Sequence, residues 1–525
     1  MLNEDIIPSM RRYLLLTVFI SGMTTLAAEL AASRLIGAVY GTSNIVWASI
    51  IGLILIYLTA GYFLGGWWAD RSPSASIMYR VIAWGAFTLG LVPYIASPVL
   101  KIAARAFEGL QAGLLAGSFL GVLILFSIPI TLLGTVSPVA IRLSISEPTD
   151  AGKISGKIYA VSTLGSFVGT FLPTLYTIPA LGTRLTFLIF SLLLLMIALT
   201  GLILTDRVQS AIKLIWMPLA LMIIAIYSSN LTIKESPGQL FERESAYNYI
   251  QVQEVNGFTV LRLNEGQGVH SIYQPDNFRY GGPWEQFLVG PFFYKHKLPQ
   301  DVKSMAIIGL AAGTTARLAS MVYDGIQIDG FEIDDQIVAV GREYFALNIE
   351  NLNIVIGDGR LNLDRSTKQY DIIAVDAYRP PYIPPHMTTI EFFSIAKSHL
   401  TENGTLAINA ASVPGDRRLV NGLASTLGAL FPSVYIVDIP GSLNAMIFAT
   451  ISPTSIEDFM DNLDELKQLG SIHPLLIEAM NTAFANLGND YVKTEIFTDD
   501  RAPIEWIVND MVLKFVFEGG LEYLE

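Results

Sequence analysis

The first 230 residues consist mainly of long apolar runs separated by short polar joints. Seven of these runs are long enough to cross a bilayer, near residues 13–33, 43–66, 78–100, 111–136, 158–180, 184–204 and 212–229, since about 20 apolar residues in a helix span about 30 Å of hydrocarbon. Glycines recur inside them, for example Gly165 and Gly169, at a spacing that lets helix backbones approach closely. The pattern predicts a transmembrane bundle of about seven α-helices over residues 1–230. We therefore expect a multi-pass protein of the cell membrane with the lipid bilayer as a partner.

The pattern changes after residue 230. Apolar and polar residues alternate in two short runs, 249–252 and 259–263, and Asn256-Gly257 lies between them. Alternation with a period of two is typical of half-buried strands, and Asn-Gly is a preferred pair in tight hairpin turns. The sequence therefore predicts a small β-ribbon subdomain over residues 231–300.

From residue 305 onward, short apolar runs alternate with segments of helical character. The runs have the length of buried strands and lie at 305–308, 327–331, 354–356, 371–375, 405–409, 434–437 and 446–450. Strands that alternate with helices form mostly parallel sheets with helices on both faces. We therefore expect an α/β, Rossmann-like doubly wound sheet of the methyltransferase type over residues 301–525.

Composition agrees with this division. Hydrophobic residues make up 52% of the 525 residues and charged residues only 15%, against about 25% charged in an ordinary soluble domain. Residues 1–230 hold 13 Lys and Arg against 8 Asp and Glu, and the remainder holds 20 against 38, so the two parts carry net charges of +5 and −18. An acidic second part argues against nucleic acid as a partner, because phosphate binding needs positive charge.

Cysteine and histidine set further limits on the chemistry. The chain has no cysteine, which excludes disulfides, thiolate catalysis and cysteine metal sites. Its five histidines show no metal-ligand spacing, so we expect no metal.

The first strand of the predicted sheet ends in a glycine-containing turn. Gly309 and Gly313 bracket this turn, and a helical segment follows. Such a turn lets backbone N–H groups approach a nucleotide at the N-terminus of the helix. The second strand ends at Glu332, followed closely by Asp334, at the distance along the chain where an acid can bind ribose hydroxyls.

Two further acids follow the next two strands. Asp358 and Gly359 come after the third strand, and Asp376 comes after the fourth. Because ligands bind at the carboxyl ends of parallel strands, we expect Glu332, Asp358 and Asp376 to lie along one crevice. The sequence therefore predicts a nucleotide-binding site at this edge of the sheet.

The chain resembles the spermidine synthase (polyamine aminopropyltransferase) family, in particular its members with an N-terminal membrane bundle. The matching motifs are Ala28-Glu29, Gly65-Gly66, Glu244-Ser245-Ala246-Tyr247, Phe331-Glu332-Ile333-Asp334, Gly357-Asp358-Gly359, Tyr370-Asp371, Thr389-Ile390-Glu391-Phe392 and Thr498-Asp499-Asp500-Arg501. The resemblance implies a transferase of polyamine biosynthesis. It would move an aminopropyl group from decarboxylated S-adenosylmethionine to a small-molecule amine, or use S-adenosylmethionine itself as co-substrate.

The resemblance also implies roles for individual residues. Glu332 would bind the ribose of the co-substrate, Asp358 would bind its adenine, and Asp376 matches the catalytic acid. The expected cofactor-binding set is Gly309, Gly313, Glu332, Asp334, Asp358 and Gly359. The expected catalytic set is Asp376 with Tyr247 and Tyr280, two tyrosines that match those flanking the amine. The expected substrate-binding set is Asp276, His270, Tyr378 and Arg379.

Three positions depart from the family pattern. Ala312 stands where an acid would hold the amine of the donor, Asn277 replaces a glutamate before Tyr280, and Arg379 stands where a second acid would meet a polyamine. Fewer carboxylates and an added guanidinium make a free polyamine a poorer acceptor. The identities of donor and acceptor are therefore both open.

The side of the membrane and the type of function also have alternatives. Lys and Arg are more numerous in the joints on the N-terminal side, which with seven spans would put the second part outside the cell. S-adenosylmethionine-type donors are made in the cytosol, so we expect a cytoplasmic domain. The rival functions are a membrane transporter or sensor whose nucleotide-binding domain does not catalyse, and an S-adenosylmethionine-dependent methyltransferase on the same fold. A homo-oligomer is also compatible with the sequence.

Overall fold

The computed structural model describes residues 6–40, 44–106, 113–145, 147–228, 236–264, 268–378 and 382–517. The chain forms two compact units. The helical unit comprises Met1–Glu235 and Arg243–Tyr249, and the sheet unit comprises Ser236–Glu242 and Ile250–Glu525. Arg379, which we predicted to bind substrate, lies outside the described residues.

Long apolar helices make up the helical unit. They are α1 (Ile6–Tyr40), α2 (Asn44–Arg71), α3 (Ala75–Ala106), α4 (Gly113–Gly134), α5 (Val136–Ser144), α6 (Ala151–Leu172), α7 (Ile178–Thr205), α8 (Val208–Ile212) and α9 (Trp216–Tyr227). Gly165 and Gly169 of α6 lie against the backbone of α1, where a Cβ atom would overlap the carbonyl oxygens of Phe19 and Met23. The close backbone approach predicted from the glycine spacing is therefore present between these two helices.

Six segments of the described chain are long and apolar enough to cross a membrane, so the predicted count of seven is corrected to six. They are Met10–Ala38, Val46–Arg71, Ala75–Leu100, Gly117–Ser144, Pro148–Thr205 and Val208–Tyr227. The difference arises at residues 158–180 and 184–204, which we predicted as separate spans and which both fall inside the 58-residue segment Pro148–Thr205. Apolar helix continues through the joint between them, and only Gly182, with φ of 84°, leaves helical geometry there.

A four-stranded antiparallel sheet contains the predicted β-ribbon. Its strands are β1 (Gln239–Glu244), β2 (Tyr249–Val255), β3 (Phe258–Leu263) and β4 (Val269–Tyr273), in the order β1-β2-β3-β4. Asn256 and Gly257 join β2 to β3 with φ angles of 51° and 80°. Positive φ at both central residues is the requirement of a type I′ turn, so the predicted hairpin is confirmed.

The sheet unit is built around eight further strands. They are β5 (Ser304–Ile308), β6 (Gln327–Glu332), β7 (Leu352–Ile356), β8 (Tyr370–Val375), β9 (Leu400–Ala411), β10 (Ser433–Asp438), β11 (Asn444–Thr450) and β12 (Leu487–Gly488). The strand order is β12-β10-β11-β9-β8-β5-β6-β7. Strands β7, β6, β5, β8 and β9 are parallel, whereas β11, β10 and β12 pair antiparallel. The sheet contains all seven predicted strands.

Helices cover both faces of this sheet. They are α10 (Pro283–Gln286), α11 (Thr314–Val322), α12 (Asp335–Tyr344), α13 (Gly359–Asp364), α14 (Ile390–Ser398), α15 (Arg418–Gly428), α16 (Ile456–Leu469), α17 (Pro474–Ala485) and α18 (Ile504–Phe517). On β5, Ile307 packs in the cluster with α11, and the next residue, Ile308, packs in the cluster with α14. Alternate side chains of one strand thus enter two separate cores, which confirms the predicted doubly wound architecture.

Candidate active site

The predicted acids meet at one edge of the large sheet because the strands that carry them are parallel and in register. Ile308 pairs with Phe331 on one side and with Val375 on the other, and Glu332 pairs with Ile356. Each strand therefore ends at the same level. The turns that follow β5, β6, β7 and β8 all open on this edge, which is where ligands bind in open α/β sheets.

The glycine turn after β5 is held against its neighbours by the backbone. Gly309 has φ of 89°, and a Cβ atom there would lie 2.6 Å from the carbonyl oxygen of Asp376. Its N–H donates to the carbonyl of Phe331 at 3.0 Å. Gly313 precedes α11 with φ of 83°. The left-handed backbone and the close approach explain why glycine is needed at both positions.

Glu332 ends β6 with its carboxylate turned onto the glycine turn. It is 6% exposed, and its oxygens accept hydrogen bonds from the N–H groups of Ala311 at 2.9 Å and Asp334 at 3.1 Å. Burial raises the pKa of Glu332 to about 7, although these two hydrogen bonds act in the opposite direction. A buried acid with two fixed contacts is a rigid acceptor for hydroxyl hydrogens of a ligand.

Asp334 and Asp358 each cap a helix. Asp334 is fully buried and accepts from the N–H of Gln336 at 3.1 Å at the start of α12. Asp358 accepts from the N–H of Leu361 at 2.8 Å at the start of α13, and its other oxygen lies 3.4 Å from Nε2 of His386. Gly359 is buried, and a Cβ atom there would lie 2.6 Å from Ile308. Capping accounts for one oxygen of each acid, and the roles in ligand binding remain predictions.

Asp376 follows β8 and is oriented by a neighbouring strand. Its N–H donates to the carbonyl of Ile308 at 2.9 Å, and its Oδ1 accepts from Nδ2 of Asn409 at 2.9 Å. Burial raises the pKa of Asp376 to about 7, and the hydrogen bond from Asn409 lowers it in part. Tyr378 donates from its hydroxyl to the carbonyl of Asn409 at 3.2 Å. The result is a fixed carboxyl group whose pKa suits proton transfer near neutral pH.

Ala312 fills the position where the resemblance predicts an acid. Its side chain is fully buried and packs in a cluster with Ile250 and Leu261 of the small sheet. Its N–H donates to the hydroxyl of Ser271 at 2.9 Å. A charged side chain would therefore have to be buried among apolar groups, which is costly, so the alanine is well matched to its surroundings.

Tyr280 lies in the turn before α10, next to several aromatic rings. Its ring centroid is 6.3 Å from those of Phe258 and Trp284, and its hydroxyl is buried. Its N–H donates to Glu285 at 2.6 Å. The guanidinium of Arg317 lies 4.6 Å above the Tyr273 ring and depresses the pKa of Tyr280 in part, although burial raises it overall.

The remaining predicted residues in the described chain, His270, Asp276 and Tyr247, lie in different elements. His270 of β4 has a buried Nε2 with no hydrogen-bond partner among the residues that the structure describes. Burial lowers its pKa to about 4, so it is neutral at pH 7. Asp276 is exposed in the turn after β4. Tyr247 is 48% exposed in the segment Arg243–Tyr249, which belongs to the helical unit. Its role beside an amine stays a prediction.

Sequence reasoning missed two residues that fix this site. Asn409 orients Asp376, and Glu285 holds the backbone of Tyr280. Asn409 carried a usable signal, because it is a polar residue at the end of the apolar strand β9. Glu285 carried none, because its function depends on a turn geometry that the pattern does not encode.

Comparisons with known proteins find several that are similar to part of this chain. A family model described as the spermine/spermidine synthase domain matches residues 295–462. A probable polyamine aminopropyl transferase from Bifidobacterium longum is 30% identical over 278 residues, covering 50% of this chain and 61% of that protein. A polyamine aminopropyltransferase from Vibrio vulnificus is 27% identical over 276 residues, covering 50% of this chain and 89% of that protein. The solved structure of spermidine synthase from Thermotoga maritima is 19% identical and covers 47% of this chain and 84% of that chain, with a TM-score of 0.39.

The fold and the strand-edge site define a Rossmann-like domain of the methyltransferase type. Within this domain, residues 295–462 are similar to the spermine/spermidine synthase domain. The chain spans about three fifths of the first relative's length and nine tenths of the second's. The family model matches residues 295–462, which lie outside the long apolar helices.

Proposed function

We propose that this protein is a membrane-anchored aminopropyltransferase that moves an aminopropyl group from decarboxylated S-adenosylmethionine to an amine. The observation that supports this best is Asp376, a carboxyl group with a pKa of about 7 that is fixed by Asn409 beside the glycine turn. The synthase domain in the C-terminal half and the two named aminopropyltransferase relatives support the same reaction.

The reaction needs positioning and one proton transfer. The lone pair of the acceptor amine attacks the aminopropyl carbon next to the sulfonium, and a C–N bond forms as the C–S bond breaks. The bonding pair passes to sulfur, which leaves as the neutral thioether methylthioadenosine. The proton lost by the amine passes to the carboxylate of Asp376. Because the sulfonium activates its own carbon, the enzyme needs no nucleophilic side chain.

The co-substrate fits the residues at the strand edge only in part. Glu332 offers a rigid carboxylate for the ribose hydroxyls, and Asp358 lies one strand further along for the adenine. Ala312 offers nothing to the amine of the aminopropyl group, because it is packed against the small sheet. The donor amine must therefore be held elsewhere. Asn277 and Arg379, which replace acids of the family pattern, make a standard polyamine a poorer acceptor.

The helical unit is the proposed membrane anchor. Six segments have the length and composition of membrane spans, and outward-facing apolar side chains such as Phe63, 78% exposed, and Ile226, 72% exposed, suit a lipid environment. We place the sheet unit in the cytoplasm, where S-adenosylmethionine-type donors are made. Reporter fusions after residue 525 that are active only in the cytoplasm test this placement, and a signal from a periplasmic reporter would contradict it.

One experiment separates this function from its rivals. The full chain is purified in detergent and incubated with decarboxylated S-adenosylmethionine or S-adenosylmethionine and with di- and polyamines, and the nucleoside products are identified by mass spectrometry. Release of methylthioadenosine that requires Asp376 supports the proposal. Release of S-adenosylhomocysteine would identify a methyltransferase, and tight nucleoside binding without turnover, unaffected by Asp376→Asn, would identify a transporter or sensor.

A further inference from the structure

The connection between β8 and α14 brings a histidine to the acid that is predicted to bind adenine. Nε2 of His386 lies 3.4 Å from Oδ2 of Asp358, whose other oxygen, Oδ1, accepts from the N–H of Leu361 at 2.8 Å. The side chains of His386 and Asp358 are 48% and 37% exposed, so a ligand can reach both. The predicted site residues include Asp358 but not His386.

An arginine–aspartate pair holds this histidine in place. Arg360 donates from Nη1 to the His386 carbonyl at 2.8 Å, and its two Nη atoms each contact an oxygen of Asp499 at 2.7 Å. Asp499 is fixed in turn, because it accepts from the Thr389 hydroxyl at 2.7 Å. Hydrogen bonds from Arg360 lower the pKa of Asp499 to about 2. The pair therefore stays charged and rigid over the pH range in which histidine gains a proton.

The imidazole of His386 has charged neighbours on three elements. Asp358 and Arg360 belong to the start of α13, and Asp499 lies in the segment before α18. Glu391 of α14 accepts from the Asp499 N–H at 3.0 Å. Arg360 and Asp499 neutralise each other, and Glu391 binds the backbone. Protonation of the imidazole therefore acts mainly on Asp358, because the Oδ2 atom is so close to it.

The two bases that a purine nucleoside can carry differ in what they offer to Oδ2. Adenine has an exocyclic amino group that donates hydrogen bonds, whereas hypoxanthine has a carbonyl oxygen at the same position that accepts them. A carboxylate only accepts and favours adenine, and an imidazolium only donates and favours hypoxanthine. The charge on His386 should therefore change which base is preferred beside Asp358.

We infer that His386 is a specificity-determining residue of the co-substrate site. Uncharged, it leaves Oδ2 of Asp358 available to the amino group of adenine. Protonated, it pairs with that oxygen, and the preference for adenine falls. Arg360 is a positioning residue that acts through the His386 carbonyl. The inference rests on the proposed function in placing the adenine of the co-substrate at Asp358.

The test is calorimetric titration of the full chain in detergent with methylthioadenosine and with its deaminated analogue, methylthioinosine. Titrations are run at about pH 5.5 and about pH 8, which cover most of the range over which histidine changes charge. Both nucleosides carry the same ribose and thioether, so protonation of Glu332 or Asp376 cancels in the ratio of their affinities. In wild type this ratio should favour methylthioadenosine at the higher pH and fall about three- to tenfold at the lower pH.

Three variants assign the change in this ratio. His386→Gln cannot gain a proton, so the ratio should be the same at both pH values. Arg360→Lys keeps the charge but loses the paired contacts, so the fall in the ratio should shrink, and adding it to His386→Gln should have no further effect. His296→Gln is the matched control, because His296 also faces an acid, Glu465, at 3.5 Å but is 86% exposed and belongs to no predicted site; it should behave like wild type.

A ratio that does not change with pH in wild type, or one that still falls in full in His386→Gln, overturns the inference. Melting temperatures show that each variant is folded, and His386→Asn replaces His386→Gln if that protein unfolds. Asp358→Asn separates this inference from the proposed function. If Asp358→Asn abolishes the preference for adenine while His386→Gln keeps the full response to pH, adenine lies at Asp358 and His386 has no part in its recognition. If Asp358→Asn leaves the preference unchanged, both the inference and the placement of adenine are wrong.

Discussion

In the helical unit many large apolar side chains remain exposed, such as Phe63 and Ile226, whereas in the sheet unit acids such as Glu332 and Asp334 are buried at 6% and 0% exposure. Buried polar groups of the helical unit are mostly hydroxyls that bond the helix backbone, as Ser191 does to the carbonyl of Ala86 at 2.6 Å. Those interactions fix helix packing. In the sheet unit, burial instead raises the pKa values of Glu332 and Asp376 to about 7 at one strand edge.

This difference indicates that the two units have different roles. Apolar surface and close helix contacts suit a bilayer, and desolvated carboxyls on a rigid edge suit chemistry. Changes in the two units should therefore have separable effects, on stability of the bundle in one case and on ligand binding and turnover in the other.

The largest effect is expected from Asp376→Asn. The amide keeps the shape of the side chain but cannot take the proton of the amine, so kcat should fall by about 10²–10⁴-fold while methylthioadenosine still binds. Steady-state rates and calorimetry measure the two quantities. Asp464→Asn, which changes an acid that is 66% exposed on α16, should leave both unchanged. Wild-type turnover in Asp376→Asn would remove this residue from the mechanism.

Gly309→Ala should be nearly as damaging for a different reason. The new Cβ would meet the Asp376 carbonyl oxygen at 2.6 Å in a left-handed backbone, which should cost about 2–4 kcal/mol and weaken methylthioadenosine binding. Gly325→Ala separates strain from overlap, since Gly325 has φ of 69° and nothing within 4 Å of a Cβ atom; it should cost about 1 kcal/mol. Equal binding in the two variants would contradict the close approach of the two turns.

Gly165→Ala tests the helical unit. A methyl group there would overlap the carbonyl of Phe19, whereas Gly156 in the same helix has nothing within 4 Å. The first change should lower the stability of the bundle by about 1–3 kcal/mol, and Gly156→Ala should be neutral or stabilising, because alanine favours helices. Thermal unfolding in detergent measures this. Methylthioadenosine affinity should not change. A large loss of this affinity in Gly165→Ala, but not in Gly156→Ala, would contradict independent effects of changes in the two units.

The hydrogen bond from Asn409 should tune the pH dependence of activity. It favours the charged form of Asp376, so Asn409→Ala should raise the pKa of that carboxyl above about 7. The acidic limb of the kcat profile should move to higher pH, with about a tenfold loss at neutral pH that recovers in alkali. Asn353→Ala removes a comparable contact, from Asn353 to Asp329 at 2.7 Å, and should leave the limb in place. If the acidic limb of the kcat profile does not move in Asn409→Ala, Asp376 is not the base.

The smallest effect concerns stability and pH. Burial raises the folded-state pKa of Asp376 to about 7, so between about pH 4 and pH 7 the folded protein binds more protons than the unfolded chain. The contribution of this group to stability is therefore largest at low pH and is lost as pH rises through about 7. Asp376→Asn should remove this decline between pH 5 and pH 8, seen as a smaller drop in melting temperature. If stability declined more steeply with pH in the variant than in wild type, the folded-state pKa of Asp376 would have to be lowered rather than raised.

Much of the architecture followed from the sequence, because it depends on local pattern. Strands β5 to β8 lie where apolar runs end in Gly309, Glu332, Asp358 and Asp376, and parallel pairing alone brings those ends to one edge. The hairpin at Asn256 followed from the preference of Asn-Gly for positive φ.

Other features depend on contacts between distant residues. The bond from Asn409 to Asp376 joins residues 33 apart, and the burial of Ala312 depends on the small sheet. The count of spans differs at Gly182, because apolar helix continues on both sides of the joint that we predicted between two separate spans.

In the proposed function, one strand edge holds an adenosine-bearing sulfonium compound between Glu332 and Asp358, with the reacting carbon next to Asp376. A cryo-EM structure of the full chain bound to methylthioadenosine would show this arrangement. We predict ribose hydroxyls within hydrogen-bond distance of Glu332, adenine beside Asp358 and the thioether sulfur facing Asp376. Nucleoside density in any other place, or this edge filled by protein while the nucleoside is bound, would contradict it.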